Sequence, residues 1–152
     1  MAIGSNIGQY KKALKEYVTA LTATAEIVSF LRQELGGEVT LNQAVLLLQV
    51  MRNEALGLKT EMRDLSISTR LDRRATSRLV ASLGSGNGAR PGLQLIEQTM
   101  SDTDKRTRLL ALTEKGVQLT KRTGQRMRSE AFSAIDRIDE LRARQSSLSD
   151  TG

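Results

Sequence analysis

Apolar residues recur at three- and four-residue spacing over two long segments of the chain, and this pattern limits the fold more than any other feature. Residues 6–35 keep the period until Gly36 and Gly37, and residues 114–144 keep it after Thr113, which is predicted to cap that helix. The stripes hold Tyr10, Leu14, Tyr17, Val18, Leu21, Ala25, Val28, Leu31 and Leu35, and then Val117, Met127, Ala131, Ala134, Ile135, Ile138 and Leu141. The pattern predicts a mainly helical protein with one long helix at each end.

Capping residues between the long helices predict three shorter ones. Thr40 begins the first and stands three residues before Gln43, which is the spacing of a capping box. Its apolar face is predicted to contain Leu41, Ala44, Val45, Leu47, Leu48 and Met51. Thr60 is predicted to cap a short helix, and Asp72 to cap another over residues 73–83.

The next part of the chain predicts a β-hairpin followed by the last helix. Residues 84–92 are rich in Gly and predict a loop. Residues 93–100 and 108–112 predict two strands, joined by a polar, charged turn at residues 101–107. We expect residues 146–152 to be a frayed tail.

The positive charge is concentrated in the middle of the chain. The net charge is +6 over 152 residues, but residues 59–128 contain 15 Lys and Arg against 7 Asp and Glu, a net of +8. Such a charge favours polyanionic partners, chiefly nucleic acid, although an inert basic surface would have the same composition.

The missing residue types exclude several kinds of site. The chain contains no Cys and no His, which excludes disulfides and removes the commonest zinc ligands and the commonest general base. We therefore predict no enzymatic activity, no metal and no cofactor. No apolar run is long enough to cross a bilayer and the start of the chain has no signal-peptide pattern, so we expect a cytoplasmic, nucleoid-associated protein.

The predicted helix over residues 73–83 has two different faces. At ~100° per residue its apolar side collects Thr76, Leu79, Val80 and Leu83, and its other side collects Arg74, Ser77, Arg78 and Ala81, with Arg73 at the edge. Small residues between arginines let a helix enter a major groove, where Arg can bond guanine O6 and N7. A solvated basic helix is the plainer alternative.

The predicted hairpin turn carries cations at its tip, Lys105 and Arg106. A basic hairpin tip can reach into the minor groove, where the negative potential attracts Arg. Asp102 or Asp104 could hold that guanidinium by a charge-assisted bond. An ordinary polar turn is again the alternative.

Residues 101–116 resemble the wing signature of the MarR family of winged helix-turn-helix regulators: an Asp, an acidic or polar position, two basic residues, an apolar strand, then Leu-Thr-x-x-Gly. Residues 72–80 are similar to the recognition helix of that family, and residues 40–65 to its two preceding helices. The resemblance covers about residues 10–135 and implies a homodimer in which Arg106 is the wing arginine. The segment between recognition helix and wing, 84–91, departs from the family pattern.

The resemblance implies a single winged helix-turn-helix domain over residues 1–152, mainly α with a small β-hairpin wing. Residues 6–35 and 114–144 would be dimerisation helices, and residues 40–113 the DNA-binding core with its wing at 93–112. The predicted DNA contacts are Thr60, Thr69, Arg70, Arg73, Arg74, Ser77, Arg78, Lys105 and Arg106, with Asp102 and Asp104 supporting the wing.

The sequence then predicts a homodimeric, sequence-specific regulator of transcription, a repressor that binds a pseudopalindromic operator in duplex DNA. A small-molecule effector would suit the family, but no residues indicate one. The alternatives are an architectural or weakly specific DNA-binding protein and a winged-helix module that binds another protein.

Overall fold

The structure, a computed structural model, describes the backbone of residues 3–149 and the side chains of that range except 3–7, 10, 131–132, 134–135, 141–142 and 145–149. The stripe side chains predicted at Tyr10, Ala131, Ala134, Ile135 and Leu141 therefore lie outside the described residues, as does the end of the predicted tail, 150–152. Contacts divide the chain into two compact units, one of Leu31–Arg122 and one of the residues on either side of it.

Five helices and five short strands make up the described chain, in an order that confirms the predicted mainly α fold with a small β wing. The helices are α1 Ile3–Glu34, α2 Leu41–Ala55, α3 Met62–Thr69, α4 Arg73–Leu83 and α5 Glu114–Ser149. The strands are β1 Thr60–Glu61, β2 Gly86–Asn87, β3 Arg90–Pro91, β4 Ile96–Met100 and β5 Arg108–Leu112. No helix within residues 3–149 is long and apolar enough to cross a membrane.

Helix α5 corrects the predicted tail, because it continues through Ser149. The polar residues that suggested fraying include no Gly or Pro before that point, so nothing in the local sequence ends the helix.

The core of the central unit is built almost entirely from aliphatic side chains. Its fully buried members are Leu31, Leu46, Leu47, Val50, Leu65, Thr76, Val80, Leu83, Leu95 and Leu119. Helix α2 begins with the predicted capping box, in which Gln43 N–H donates to Thr40 Oγ1 at 3.2 Å and Thr40 N–H donates to Gln43 Oε1 at 2.9 Å. Leu41 and Val45 are exposed, contrary to the predicted face, because they lie one turn apart on the side away from the core.

Thr60 does not cap a helix, which corrects the prediction. It lies in β1 and pairs with Leu110 of β5, so that the wing sheet has three antiparallel strands in the order β1-β5-β4. Its hydroxyl accepts a bond of 3.1 Å from the side-chain amide of Asn53. Helix α3 instead begins after Glu61, which makes no side-chain cap. Thr60 therefore belongs to a strand, although the local sequence predicted it as a helix cap.

The predicted loop over residues 84–92 is a second small hairpin, formed by β2 and β3 with Asn87 opposite Arg90. The Gly-rich composition of this segment predicted a loop, but its glycines allow close backbone packing within the hairpin. Gly86 has a φ of +83° and a Cβ there would lie 2.8 Å from the carbonyl carbon of Pro91.

The Leu-Thr-x-x-Gly motif joins the wing to α5. Thr113 Oγ1 accepts from Gly116 N–H at 3.1 Å, as predicted for the cap, and donates to the carbonyl of Gln94 at 2.6 Å. Gly116 packs directly against the carbonyl oxygen of Leu95, where a side chain would not fit. The motif thus fixes the base of the β4–β5 hairpin to the first turn of the last helix.

The second unit contains α1 up to Phe30 and α5 from Thr123 onwards. Within it the two helices run antiparallel, since Lys15 pairs with Asp139 at 2.9 Å and Arg126 lies 3.7 Å from Glu26. An apolar stripe on α1 remains exposed and comprises Leu14, Tyr17, Leu21 and Val28.

Candidate nucleic-acid interface

Helix α4 has the two faces that its sequence predicts. Asp72 caps it, accepting from Ala75 N–H at 2.8 Å, which fixes the direction in which the helix leaves the preceding turn. Its inner face buries Thr76, Val80 and Leu83, and its outer face exposes Arg73, Arg74, Ser77 and Arg78. The inner face anchors the helix in the core, so the outer arginines are held on a rigid element.

The turn of the wing, between β4 and β5, is organised by Asp104. One carboxylate oxygen accepts from the backbone N–H of Arg106 at 2.9 Å, and the other accepts from Thr107 Oγ1 at 3.0 Å. Support for the wing thus runs through the backbone of Arg106, whereas the sequence suggested a bond to its guanidinium. Asp102, Lys105 and Arg106 are exposed on the same turn.

A groove of about 1110 Å³ lies between α3, the first turns of α4 and the wing, and we call it the wing groove. Its cationic lining residues are Arg63, Arg73, Arg74, Arg106 and Arg108, and its acidic one is Glu61. Within the described residues none of these five arginines forms an ion pair, whereas Arg122 and Arg126 of α5 do. The groove therefore concentrates positive charge, with five arginines against one glutamate.

Two arginines of the wing groove were missed by the sequence reasoning. Arg108 shares the core-facing side of β5 with Leu110 and Leu112, but lies beyond the edge of the core. The two-residue alternation of a strand would have predicted Arg108 on the same side of β5 as Leu110 and Leu112. Arg63 is exposed in the first turn of α3. Since Leu65 is the buried residue of α3, the outward direction of Arg63 could have been read from the helical period.

Besides Arg78 and Lys105, three further predicted contacts stand apart from this groove. Thr60 is 4% exposed and bonded to Asn53, so it presents no hydroxyl to a ligand. Thr69 is half-buried and its hydroxyl donates to the carbonyl of Leu65 at 2.6 Å. Arg70 is exposed in the turn between α3 and α4, with a left-handed φ of 56°. None of the three is among the described residues that line the wing groove.

Solved structures with the same fold include regulators of transcription and a protein bound to DNA, whereas no protein-family model and no curated protein matches the sequence. A mutant of MepR from S. aureus bound to an oligodeoxyribonucleotide is similar with a TM-score of 0.60 and 14% identity, over 93% of this chain and 96% of that one. The transcriptional regulator Tm0710 from Thermotoga maritima is similar with a TM-score of 0.59 and 14% identity, over 94% of this chain and 98% of that one.

A mutant of MarR from E. coli extends the comparison, with a TM-score of 0.52 and 16% identity over 99% of this chain and 96% of that one. These matches run through α4 and the wing as well as the long helices, because each covers more than nine-tenths of both chains. The chain therefore has the winged helix-turn-helix fold of MarR-type transcriptional regulators.

Proposed function

We propose that the protein is a homodimeric, sequence-specific regulator of transcription that binds a pseudopalindromic operator in duplex DNA. The wing groove carries this proposal. It brings five unpaired arginines from three elements, α3, α4 and the wing, to one surface beside the outer face of α4. Phosphate neutralisation by such cations supplies most of the affinity of a protein for DNA.

The shape of the surface supports duplex DNA over other polyanions. Arg74, Ser77 and Arg78 project from one face of a single helix, as in helices that read base edges in a major groove. Arg106 lies on a hairpin turn at the opposite wall of the wing groove, where it would meet the backbone or the minor groove. The MepR structure with the same fold is bound to an oligodeoxyribonucleotide, which supports DNA as the kind of ligand.

The long helices support the dimer. Leu14, Tyr17, Leu21 and Val28 form an apolar stripe on α1 that the folded chain leaves exposed. An apolar stripe of this length marks an interface with a partner, and a second copy of the chain would cover it in both subunits by two-fold symmetry. We propose that this dimer represses transcription by occupying its operator, with the two α4 helices about one helical turn of DNA apart.

The decisive experiment is selection of duplexes from a random-sequence library by the purified protein, followed by sequencing. We expect enrichment of an inverted repeat with half-sites about one turn apart. Retention of DNA without an enriched sequence would favour the architectural alternative. Failure to retain any duplex at low salt would favour a protein-interaction module.

A further inference from the structure

The β2–β3 hairpin is fastened to the end of α4 at both of its own ends. Gly84 N–H donates to the carbonyl of Val80 at 2.9 Å where the hairpin begins. Leu93 N–H donates to the carbonyl of Ser82 at 3.0 Å and Gln94 N–H to the carbonyl of Gly84 at 2.8 Å where it ends. The hairpin is therefore fixed to the end of α4 on both of its strands.

The turn of this hairpin is also internally fixed. The side-chain oxygen of Asn87 accepts from the backbone N–H of Arg90 at 3.0 Å and from that of Ala89 at 3.3 Å. Such Asx bonds hold a turn in one conformation. Arg90 follows directly and is exposed, so its guanidinium extends from an ordered support.

A second groove, of about 660 Å³, lies between this hairpin and the outer face of α4, and we call it the hairpin groove. Arg78 and Arg90 line it, with Glu38 as its acidic residue. Within the described chain neither arginine forms an ion pair. Ser77 lines both this groove and the wing groove, so the outer face of α4 has a hairpin on each side.

We propose that the β2–β3 hairpin is a second wing, through which Arg90 contacts a backbone phosphate of the bound duplex. The inference rests on the proposed function. A helix in a major groove lies between two phosphate backbones, because the groove is only about 12 Å wide. The wing groove meets the backbone on one side of α4, and the hairpin groove, through Arg90, meets the backbone on the other.

The test compares wild-type protein with Arg90→Ala, Arg90→Lys and a control, Arg52→Ala. Arg52 is exposed on α2 and is not among the described residues that line either groove. The probe is a labelled duplex selected by the wild-type protein, and fluorescence anisotropy is measured over a salt series. Since the binding constant varies as the salt concentration to the power of about −0.9 per neutralised phosphate, Arg90→Ala should weaken affinity about eightfold per bound copy at 0.1 M salt. The salt dependence should become shallower by about one unit per copy.

A second measurement locates the phosphate. Duplexes carrying single methylphosphonates, which remove one backbone charge, are scanned across a half-site. One methylphosphonate beside the major groove that holds α4 should weaken DNA binding by the wild-type protein. The same methylphosphonate should leave DNA binding by Arg90→Ala unchanged. Arg90→Lys should retain most of the affinity and the salt dependence, because it keeps the charge.

Each remaining outcome counts against the proposal. Equal binding by Arg90→Ala, Arg52→Ala and the wild-type protein would overturn it while leaving the proposed function intact. A loss at one base pair only would assign Arg90 to base reading instead. An equal loss in Arg90→Ala and Arg90→Lys with unchanged salt dependence would make its role structural. If the wild-type protein selects no duplex, the proposed function itself fails.

Discussion

At the scale of single residues, Gly116 lies where the wing meets the last helix, and a side chain there has no room. A Cβ would collide with the carbonyl oxygen of Leu95 and come within 3.1 Å of the side chain of Leu112. We expect Gly116→Ala to lower the free energy of unfolding by about 1–3 kcal/mol, as overpacking against backbone does. Denaturant titration measures it.

The matched control for this substitution is Gly124→Ala on the same helix. Among the described residues, no heavy atom other than those of its chain neighbours and the adjacent turns of helix backbone lies within 4 Å of a Cβ built at Gly124. A helical Gly→Ala change without strain stabilises a protein by about 0.4–1 kcal/mol. Opposite signs for the two variants are expected, and equal effects would mean that the close packing at Gly116 does not determine stability.

Asp72 gives a second prediction at this scale. Its carboxylate accepts from Ala75 N–H at 2.8 Å and caps α4. Asp72→Ala should therefore lower the free energy of unfolding by about 1 kcal/mol, whereas Asp72→Asn, which keeps the acceptor oxygen, should restore most of it. Thermal unfolding followed by circular dichroism measures both. If the Asn variant were as unstable as the Ala variant, charge and not capping would explain the loss.

The caps also show how far single residues could be read from sequence. Asp72, Thr40 and Thr113 cap helices as predicted, because each bond joins residues only three positions apart. Thr60 has the same local signal, but its backbone pairs with Leu110, fifty positions along the chain. A local motif cannot show that a distant strand pairs with the same residue.

At the scale of elements, we expect substitutions on the wing and on α4 to affect DNA binding in different ways. Arg106 lies on the wing turn at the edge of the wing groove. We expect Arg106→Ala to weaken binding to many sequences and to reduce the salt dependence by about one unit for each phosphate that is no longer neutralised. Anisotropy on selected and scrambled duplexes over a salt series measures this. A loss confined to the selected duplex would assign Arg106 to base reading.

Long elements were predictable and short ones were not. The period of apolar residues predicted α1 and α5, and residues 108–112 were predicted as a strand, in agreement with β5. The two-residue strands β1, β2 and β3 are too short to show any alternation. The hairpin groove could not be predicted, since a Gly-rich composition does not distinguish a loop from a tight hairpin.

At the scale of the whole molecule, the exposed stripe of α1 predicts a dimer. Sedimentation equilibrium at micromolar concentration should give twice the chain mass of 16.7 kDa. Leu21→Glu should shift the protein towards monomer, because it places a charge in the stripe. Leu56→Glu, at a position of similar exposure (57% against 53%) on the other unit, should not. A wild-type monomer would exclude the dimer.

The whole-molecule function was suggested by charge and by the wing motif, but its geometry required the fold. The excess of Lys and Arg in residues 59–128 pointed to nucleic acid. Only the three-dimensional arrangement brings Arg63 and Arg74 into one groove with Arg106, which is more than 30 positions from either of them along the chain.

The central claim is that α4 reads base sequence, and the most direct test compares Arg74→Ala and Arg78→Ala with the wild-type protein by fluorescence anisotropy. Each is measured on the selected duplex and on a scrambled duplex of the same length. The account predicts that each variant loses about 1–3 kcal/mol on the selected duplex and much less on the scrambled one. Equal losses on both duplexes would contradict it, because α4 would then contribute charge without reading sequence.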